Sequence, residues 1–191
     1  GVLGRARSVL GGRALLSLYN SLVLPHLQYC LMVWGDFQGG RNVTLGQSLL
    51  RYQKRFAGLV AGKRGRYHAD PLFAQFAMLK VGDLYRQQLR VHAWRFWHGQ
   101  LPENQAAMLS RVGEVHGHAT RLAGVGIHVA MRDHAYLGYR APREWVTWMG
   151  EQRGAGSMAA FKRRSRVRFL GVHGAFECGI RGCGVSGAGV V

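Results

Sequence analysis

LYNSLVLPHLQYCLMVWG, residues 18–35, is the longest apolar stretch of the chain, and it contains no charged residue. Together with the residues before it, the stretch repeats apolar side chains at intervals of three and four, which predicts a helix over Arg13–Leu24. The apolar face of this helix consists of Leu15, Leu18, Tyr19, Leu22 and Val23. We expect Pro25 to end or kink the helix, because a proline ring clashes with a carbonyl of the preceding turn.

A second helical stretch follows and ends at Gly35. One of its faces carries Leu27, Cys30, Leu31 and Trp34. The two stretches therefore predict a kinked helix, or a helix pair, at the centre of an α-helical core. Polar or helix-breaking residues interrupt the apolar run at Asn20, Pro25, His26 and Gln28. We therefore expect no membrane span.

The charge of the chain is strongly one-sided. It contains 26 lysines and arginines against 9 acidic residues, a net charge of +17 over 191 residues. Most of the basic residues are arginines, which bind phosphates through two parallel hydrogen bonds and stack on bases. Such an imbalance favours a polyanionic partner, and nucleic acid is the usual one. The alternative is a chain whose basic residues serve solubility or reflect only a biased composition.

Cysteine usage indicates a reducing compartment. An odd set of three, Cys30, Cys178 and Cys183, argues against a secreted disulfide scaffold. Residues 1–12 lack the long apolar core of a signal peptide. We therefore expect an intracellular location, in the nucleus or cytoplasm. Because the first residue is glycine rather than methionine, we also expect the chain to be part of something longer.

Further helices are predicted over Val43–Val60, Asp70–Leu79, Asp83–His98 and Pro102–Arg111. Leu45, Leu49, Phe56 and Val60 form the expected inner face of the first of these. Asp70 and Asp83 are expected to be N-caps, and the Val81-Gly82 pair is expected to separate the second helix from the third. These elements predict a helical domain over residues 1–112.

The amino-acid composition changes after Gly113, where glycine and histidine recur along the sequence. Residues 113–153 are predicted to be an irregular segment with short strands over Gly126–Ala130 and Ala135–Tyr139, followed by a helical turn anchored by Trp145. Residues 154–191 are predicted to be a basic helix over Phe161–Leu170 and a flexible tail containing two cysteines. The fold class is therefore mainly α, with a helical bundle first.

Two basic surfaces are the candidate nucleic-acid contacts. Arg51, Lys54 and Arg55 lie at i, i+3 and i+4 of one predicted helix, and Lys63, Arg64 and Arg66 continue the charge into the next loop. The second surface, on the predicted C-terminal helix, consists of Lys162, Arg163, Arg164, Arg166 and Arg168. Solvated helix faces normally mix signs, and these do not. They favour contact with backbone phosphates, without sequence preference.

Signals of catalysis are weak. The acidic residues are isolated, whereas two-metal phosphoryl transfer needs converging carboxylates, so we expect no polymerase or nuclease site in this chain. The histidines at 116, 118, 128 and 134 do not make a four-ligand zinc pattern. Cys178 and Cys183, with His173 before them, are slightly better zinc candidates, but further ligands are missing. We expect no cofactor.

The opening stretch, followed by LLRYQKRFAGLVAG at residues 49–62, resembles the region after the palm in reverse transcriptases of non-LTR, LINE-type retrotransposons. The matching positions are Tyr19, Pro25, His26, Tyr29, Trp34, Gly35, Gln53, Lys54 and Arg55. Later pieces resemble the family in order: DPLFAQFAMLKVGDLYRQQ, GHATRLA, GYRAPREWVTW and FKRRSRVRFL, followed by two cysteines. The chain departs from the family pattern at Ala119, Val146, Met149 and Gly150.

This resemblance implies a thumb-like helical domain and a C-terminal segment of an RNA-directed DNA polymerase, with the catalytic palm located before Gly1. It implies that the apolar stretch is the core helix of the thumb, and that the surrounding charge binds template and primer. The alternatives are a free-standing helical protein-interaction module and a decayed retroelement remnant with no activity.

Overall fold

The computed structural model describes residues 2–37, 42–118, 121–129, 137–148 and 154–174, and these are mainly helical. The helices are α1 (Val2–Ala6), α2 (Gly12–Leu18), a π turn (Tyr19–Val23), α3 (Leu24–Gln28), α4 (Leu31–Trp34), α5 (Val43–Val60), α6 (Asp70–Gln75), α7 (Val81–Trp97), α8 (Glu103–Ala106), α9 (Val112–Val115), α10 (Leu137–Thr147) and α11 (Met158–Gly174). The prediction of a mainly α fold is confirmed.

The two predicted strands are wrong wherever the structure describes them. Within the described residues β pairing is limited to a single bridge between Arg111 and Ile127. Residues 137–139 belong to α10 instead, whose apolar spacing places Ala141 and Trp145 in the core. The predicted helical turn around Trp145 is thus part of a longer helix.

Pro25 does not end the first helical segment, so the expectation of an end there is wrong. The chain runs without interruption from α2 through the π turn into α3, and Pro25 lies in the first turn of α3. The Leu24 N–H donates to the Tyr19 carbonyl, five residues back, and this wider turn relieves the clash that proline causes in a regular helix. The break occurs later, at Cys30, whose φ is +48°.

The π turn also changes which side chains enter the core. One extra residue in a turn rotates the following side chains around the helix axis. Leu15 and Tyr19, before or at the turn, are buried, whereas Leu22 is 59% exposed. Cys30 is exposed as well, and Trp34 is only half-buried, with its Nε1 donating to the Tyr29 carbonyl over 2.7 Å. The predicted apolar faces are therefore correct up to Tyr19 and partly wrong beyond it, where first the π turn and then the break at Cys30 change the direction of the side chains.

Helix α5 has the predicted bounds, and Gln53 near its centre joins three elements. Its Nε2 donates to Tyr19 Oη over 2.8 Å and to the Leu79 carbonyl over 3.1 Å, and its Oε1 accepts from the Val81 N–H over 2.8 Å. Phe56 is buried as predicted and stacks on Tyr19, but Leu45 is 44% exposed. The buried face of α5 is therefore the one that contains Gln53 and Phe56.

The predicted helix boundaries between α6 and α7 are shifted. Helix α6 ends at Gln75 instead of Leu79, and α7 begins at Val81, where a break was expected. Asp70 and Asp83 lie in the first turns of these helices rather than at the N-caps, which are Ala69 and Lys80. A carboxylate in the first turn still stabilises a helix, because it faces the positive end of the helix dipole.

Helix α7 is the centre of the molecule. Helices α10 and α11 both pack against it, and α11 also packs along α6. One hydrophobic core contains Leu31, Leu89, Trp145, Phe161 and Phe169. These residues come from all three predicted segments, so the segments share one core. The division into a domain over 1–112, a segment over 113–153 and a C-terminal part over 154–191 stays a prediction.

Candidate nucleic-acid interface

The middle of α5 presents the first basic surface. Arg51 and Arg55 are exposed, and neither forms an ion pair with any carboxylate that the structure describes. Lys54 lies between them with its Nζ 3.9 Å from Asp70 Oδ1, and the same oxygen is 3.0 Å from Lys80 Nζ. In sequence, no acidic residue lies between Asp36 and Asp70, but the fold returns Asp70 to this face. The charge of Lys54 is thus partly compensated, and those of the two arginines are not.

The loop after α5 begins with a glycine-dependent helix stop. The Gly62 N–H donates to the Leu59 carbonyl, and the Lys63 N–H donates to the Gly58 carbonyl over 3.0 Å. Gly62 has a φ of +69°, which suits the left-handed residue of this helix-ending motif. The chain therefore leaves α5 sharply and turns the basic loop back along the helix.

Tyr67 fixes the far end of this loop on α5. Its hydroxyl donates to the Lys54 carbonyl over 3.3 Å, and its ring lies on Gly58 so closely that a Cβ there would be 1.9 Å from Tyr67 Oη. Arg64 and Arg66 are exposed between the two anchors, whereas Lys63 is half-buried. Helix and loop therefore form one surface, with the small residue at 58 required for their contact.

The helix and the end of the loop enclose a shallow basic concavity of about 270 Å³. Its lining residues are Arg51, Lys54, Arg55, Tyr67, His68, Ala69 and Asp70. The structure thus brings the three predicted α5 residues together. Tyr67 and His68 were missed from the sequence because they lie outside the charge run, although they follow directly after Arg66.

Arg7 also lies near this surface and was not predicted. An ideal Cβ on Gly62 would be 3.3 Å from Arg7 Nη2, so this arginine reaches the start of the basic loop from α1 and the turn after it. Because more than fifty residues separate Arg7 from Gly62, only the tertiary fold reveals this neighbour.

The second basic surface lies on α11. Phe161, Ser165 and Phe169 are buried, and the side chains of the predicted contacts between them are exposed: Lys162, Arg163, Arg164, Arg166 and Arg168. Arg166 and Arg168 both contact other parts of the fold. Arg166 donates to the Ala77 carbonyl after α6, and the Arg168 guanidinium lies 4.9 Å from the Trp148 ring centroid. Helix α6 contacts both α5 and α11, so the two basic surfaces are attached to a common element.

The described residues do not form a candidate metal site. No group of three or more histidine, cysteine, aspartate or glutamate side chains within them could hold a metal ion. His116 and His128 do approach each other, with ring centroids 5.4 Å apart, but no third ligand among the described residues joins them. His134, Cys178, Cys183 and the side chain of His173 lie outside the described residues.

The part of the chain that the structure describes contains no helix with both the length and the apolarity needed to cross a membrane. No protein family, curated protein or solved structure matches the chain. Its function is therefore inferred from its own residues.

Proposed function

We propose that the chain is a non-catalytic C-terminal fragment of a retrotransposon RNA-directed DNA polymerase, which grips template and primer by their phosphate backbones. In this proposal the helices of residues 1–112 act as the thumb and α11 is a second basic anchor. A protein that binds intracellular template and primer would be located in the nucleus or the cytoplasm. The order of the motifs that resemble LINE-type reverse transcriptases supports the parentage.

The basic concavity on α5 is the observation that carries the binding proposal. Arg51 and Arg55 project from adjacent turns with no described carboxylate to neutralise them. A guanidinium donates two parallel hydrogen bonds to phosphate, and binding releases condensed counterions from the nucleic acid. Phosphates carry no sequence information, so this surface should bind unrelated sequences equally.

The test is the salt dependence of binding by the variant Arg51→Ala/Lys54→Ala/Arg55→Ala. Each lost phosphate contact lowers the log–log salt slope by about 0.7–0.9, so we expect a slope flatter by about two to three units. Affinity should fall equally for two unrelated oligonucleotides, titrated between about 50 and 200 mM salt. An unchanged slope would mean that α5 faces away from nucleic acid.

A charge-matched control separates this surface from net charge alone. Arg13, Arg95 and Arg121 are exposed and do not line the concavity. Replacing all three by alanine removes the same charge as the α5 variant but should leave the salt dependence of binding mostly unchanged. Replacing Lys162 and Arg163 on α11 should have an intermediate effect, as expected of an auxiliary anchor. A salt-independent interaction with protein, and none with nucleic acid, would favour the protein-interaction module instead.

A further inference from the structure

An apolar groove of about 450 Å³ adjoins the basic concavity. It lies between the first helical segment and α5, and its apolar lining includes Tyr19, Val23, Leu27, Leu49, Tyr52 and Phe56. Gln53 also lines the groove, but its side-chain amide is already bonded to Tyr19, Leu79 and Val81. The polar groups left to meet a ligand are therefore on the edge of the groove, where Tyr52 is 66% exposed.

Arg55 connects the groove to the basic concavity, since it lines both. A ligand that spans the two must combine negative charge with a neighbouring apolar group. Lipids and apolar peptides do not require the three adjacent basic residues. A nucleic-acid strand has the required combination, because each nucleotide joins a phosphate to a base with two apolar faces.

We propose that the groove accepts an unpaired base of a single strand, stacked on Tyr52, while the neighbouring phosphates bind Arg51, Lys54 and Arg55. This inference rests on the proposed grip and names its substrate: single-stranded template or primer rather than uniform duplex. In a duplex the base faces are covered by their stacked neighbours, whereas an unpaired base can turn out and stack on an aromatic side chain.

The experiment compares three probes with the full chain by fluorescence anisotropy. They are a thymidine strand of about 15 nucleotides, an abasic strand with the same number of phosphates, and a duplex of the same length. The variants are Tyr52→Ala and the conservative control Tyr52→Phe. Tyr52 is at the surface, so both should fold, and circular dichroism verifies this.

The expected result is specific to bases. Tyr52→Ala should weaken thymidine-strand binding by about tenfold and leave the abasic strand and the duplex unchanged, while Tyr52→Phe should bind all three as the unaltered chain does. Equal binding of the thymidine and abasic strands by the unaltered chain, or equal loss on all probes in Tyr52→Ala, would overturn the base site and leave the phosphate grip standing. No binding of any probe at low salt would overturn both.

Discussion

The guanidinium carbon of Arg90 lies 3.4 Å from the centroid of the Trp148 ring, inside the core between α7 and the end of α10. Arg90 is 1% exposed, and Phe169 of α11 lies 4.4 Å from the same guanidinium. Glu144 holds this charge, accepting from Arg90 Nε and, through its other oxygen, from Arg86 Nε, each over 2.9 Å. Burial lowers the pKa of Arg90 to about 10, although the negative charge of Glu144 raises it in part. Arg90 is therefore still charged at neutral pH.

Glu144→Gln should strongly destabilise the chain. The substitution removes the negative charge shared by Arg86 and Arg90 and leaves a buried guanidinium uncompensated. Breaking a buried ion pair in this way costs about 3 kcal/mol of the free energy of unfolding, measured by urea denaturation. The matched control is Glu103→Gln, at an exposed position of α8.

A second substitution tests the cause. Adding Arg90→Met to the Glu144→Gln variant removes the uncompensated charge and should recover a large part of the loss. If the double variant is less stable than Glu144→Gln alone, the arginine contributes mainly by its packing on Trp148 and Phe169.

Gln53→Ala should destabilise the chain by about 2–3 kcal/mol, because the Val81 N–H and the Tyr19 hydroxyl lose their partner in the core. Chemical denaturation measures the effect. Gln47→Ala on the same helix is the control, since Gln47 is exposed and its replacement should be nearly neutral. Equal stability of the two variants would show that Gln53 does not join α5 to the start of α7.

His92 should make the chain less stable in mild acid. Burial lowers the pKa of His92, and the positive charge of Arg95 lowers it further. Above the ordinary pKa of about 6.5 the imidazole is neutral in both states, but below it the unfolded chain takes up a proton that the folded chain does not. The free energy of unfolding therefore falls on acidification, by up to about 1.4 kcal/mol per pH unit, down to the lowered pKa.

Thermal melts at about pH 7 and pH 5.5 measure this contribution. The difference in Tm between the two should shrink in His92→Gln, which cannot take up the proton. His26→Gln, at an exposed position of α3, should keep the difference seen in the unaltered chain. If the difference in Tm shrinks in His26→Gln and persists in His92→Gln, His92 is not the source of the acid sensitivity.

The isolated chain should not extend a primer with Mg²⁺ or Mn²⁺. Two-metal transfer needs two or three converging carboxylates. Three of the described acidic side chains are instead engaged separately by basic residues: Asp36 by Arg140, Asp70 by Lys80 and Glu144 by Arg90. A complete reverse transcriptase in the same buffer is the positive control. Metal-dependent incorporation that follows this chain through purification would disprove the fragment proposal.

Much of the helical structure was predictable because it depends on local spacing. The bounds of α5 follow from its apolar periodicity and from the glycine that ends it, and Trp145 was correctly expected to anchor a helix. The faces of α3 and α4 were not predictable, because the apolar pattern reveals neither the π turn before Pro25 nor the left-handed break at Cys30. The basic concavity was half-predictable: Arg51, Lys54 and Arg55 lie close in sequence, whereas the contribution of Tyr67, His68 and Asp70 needed the fold.

The sequence by itself determined that the electrostatic potential around this protein is positive, and on which helices the basic residues lie. An arginine is charged in any conformation, and the spacing of Arg51 and Arg55 on one helix is a local matter. Only the tertiary structure decided which positive charges are left free. Asp70 returns to Lys54, Glu144 reaches back to Arg90, and Asp36 meets Arg140, all across long separations in sequence. Such pairs depend on the path of the whole chain, because the interaction energy of two charges depends on the distance between them in space and not on their separation in sequence.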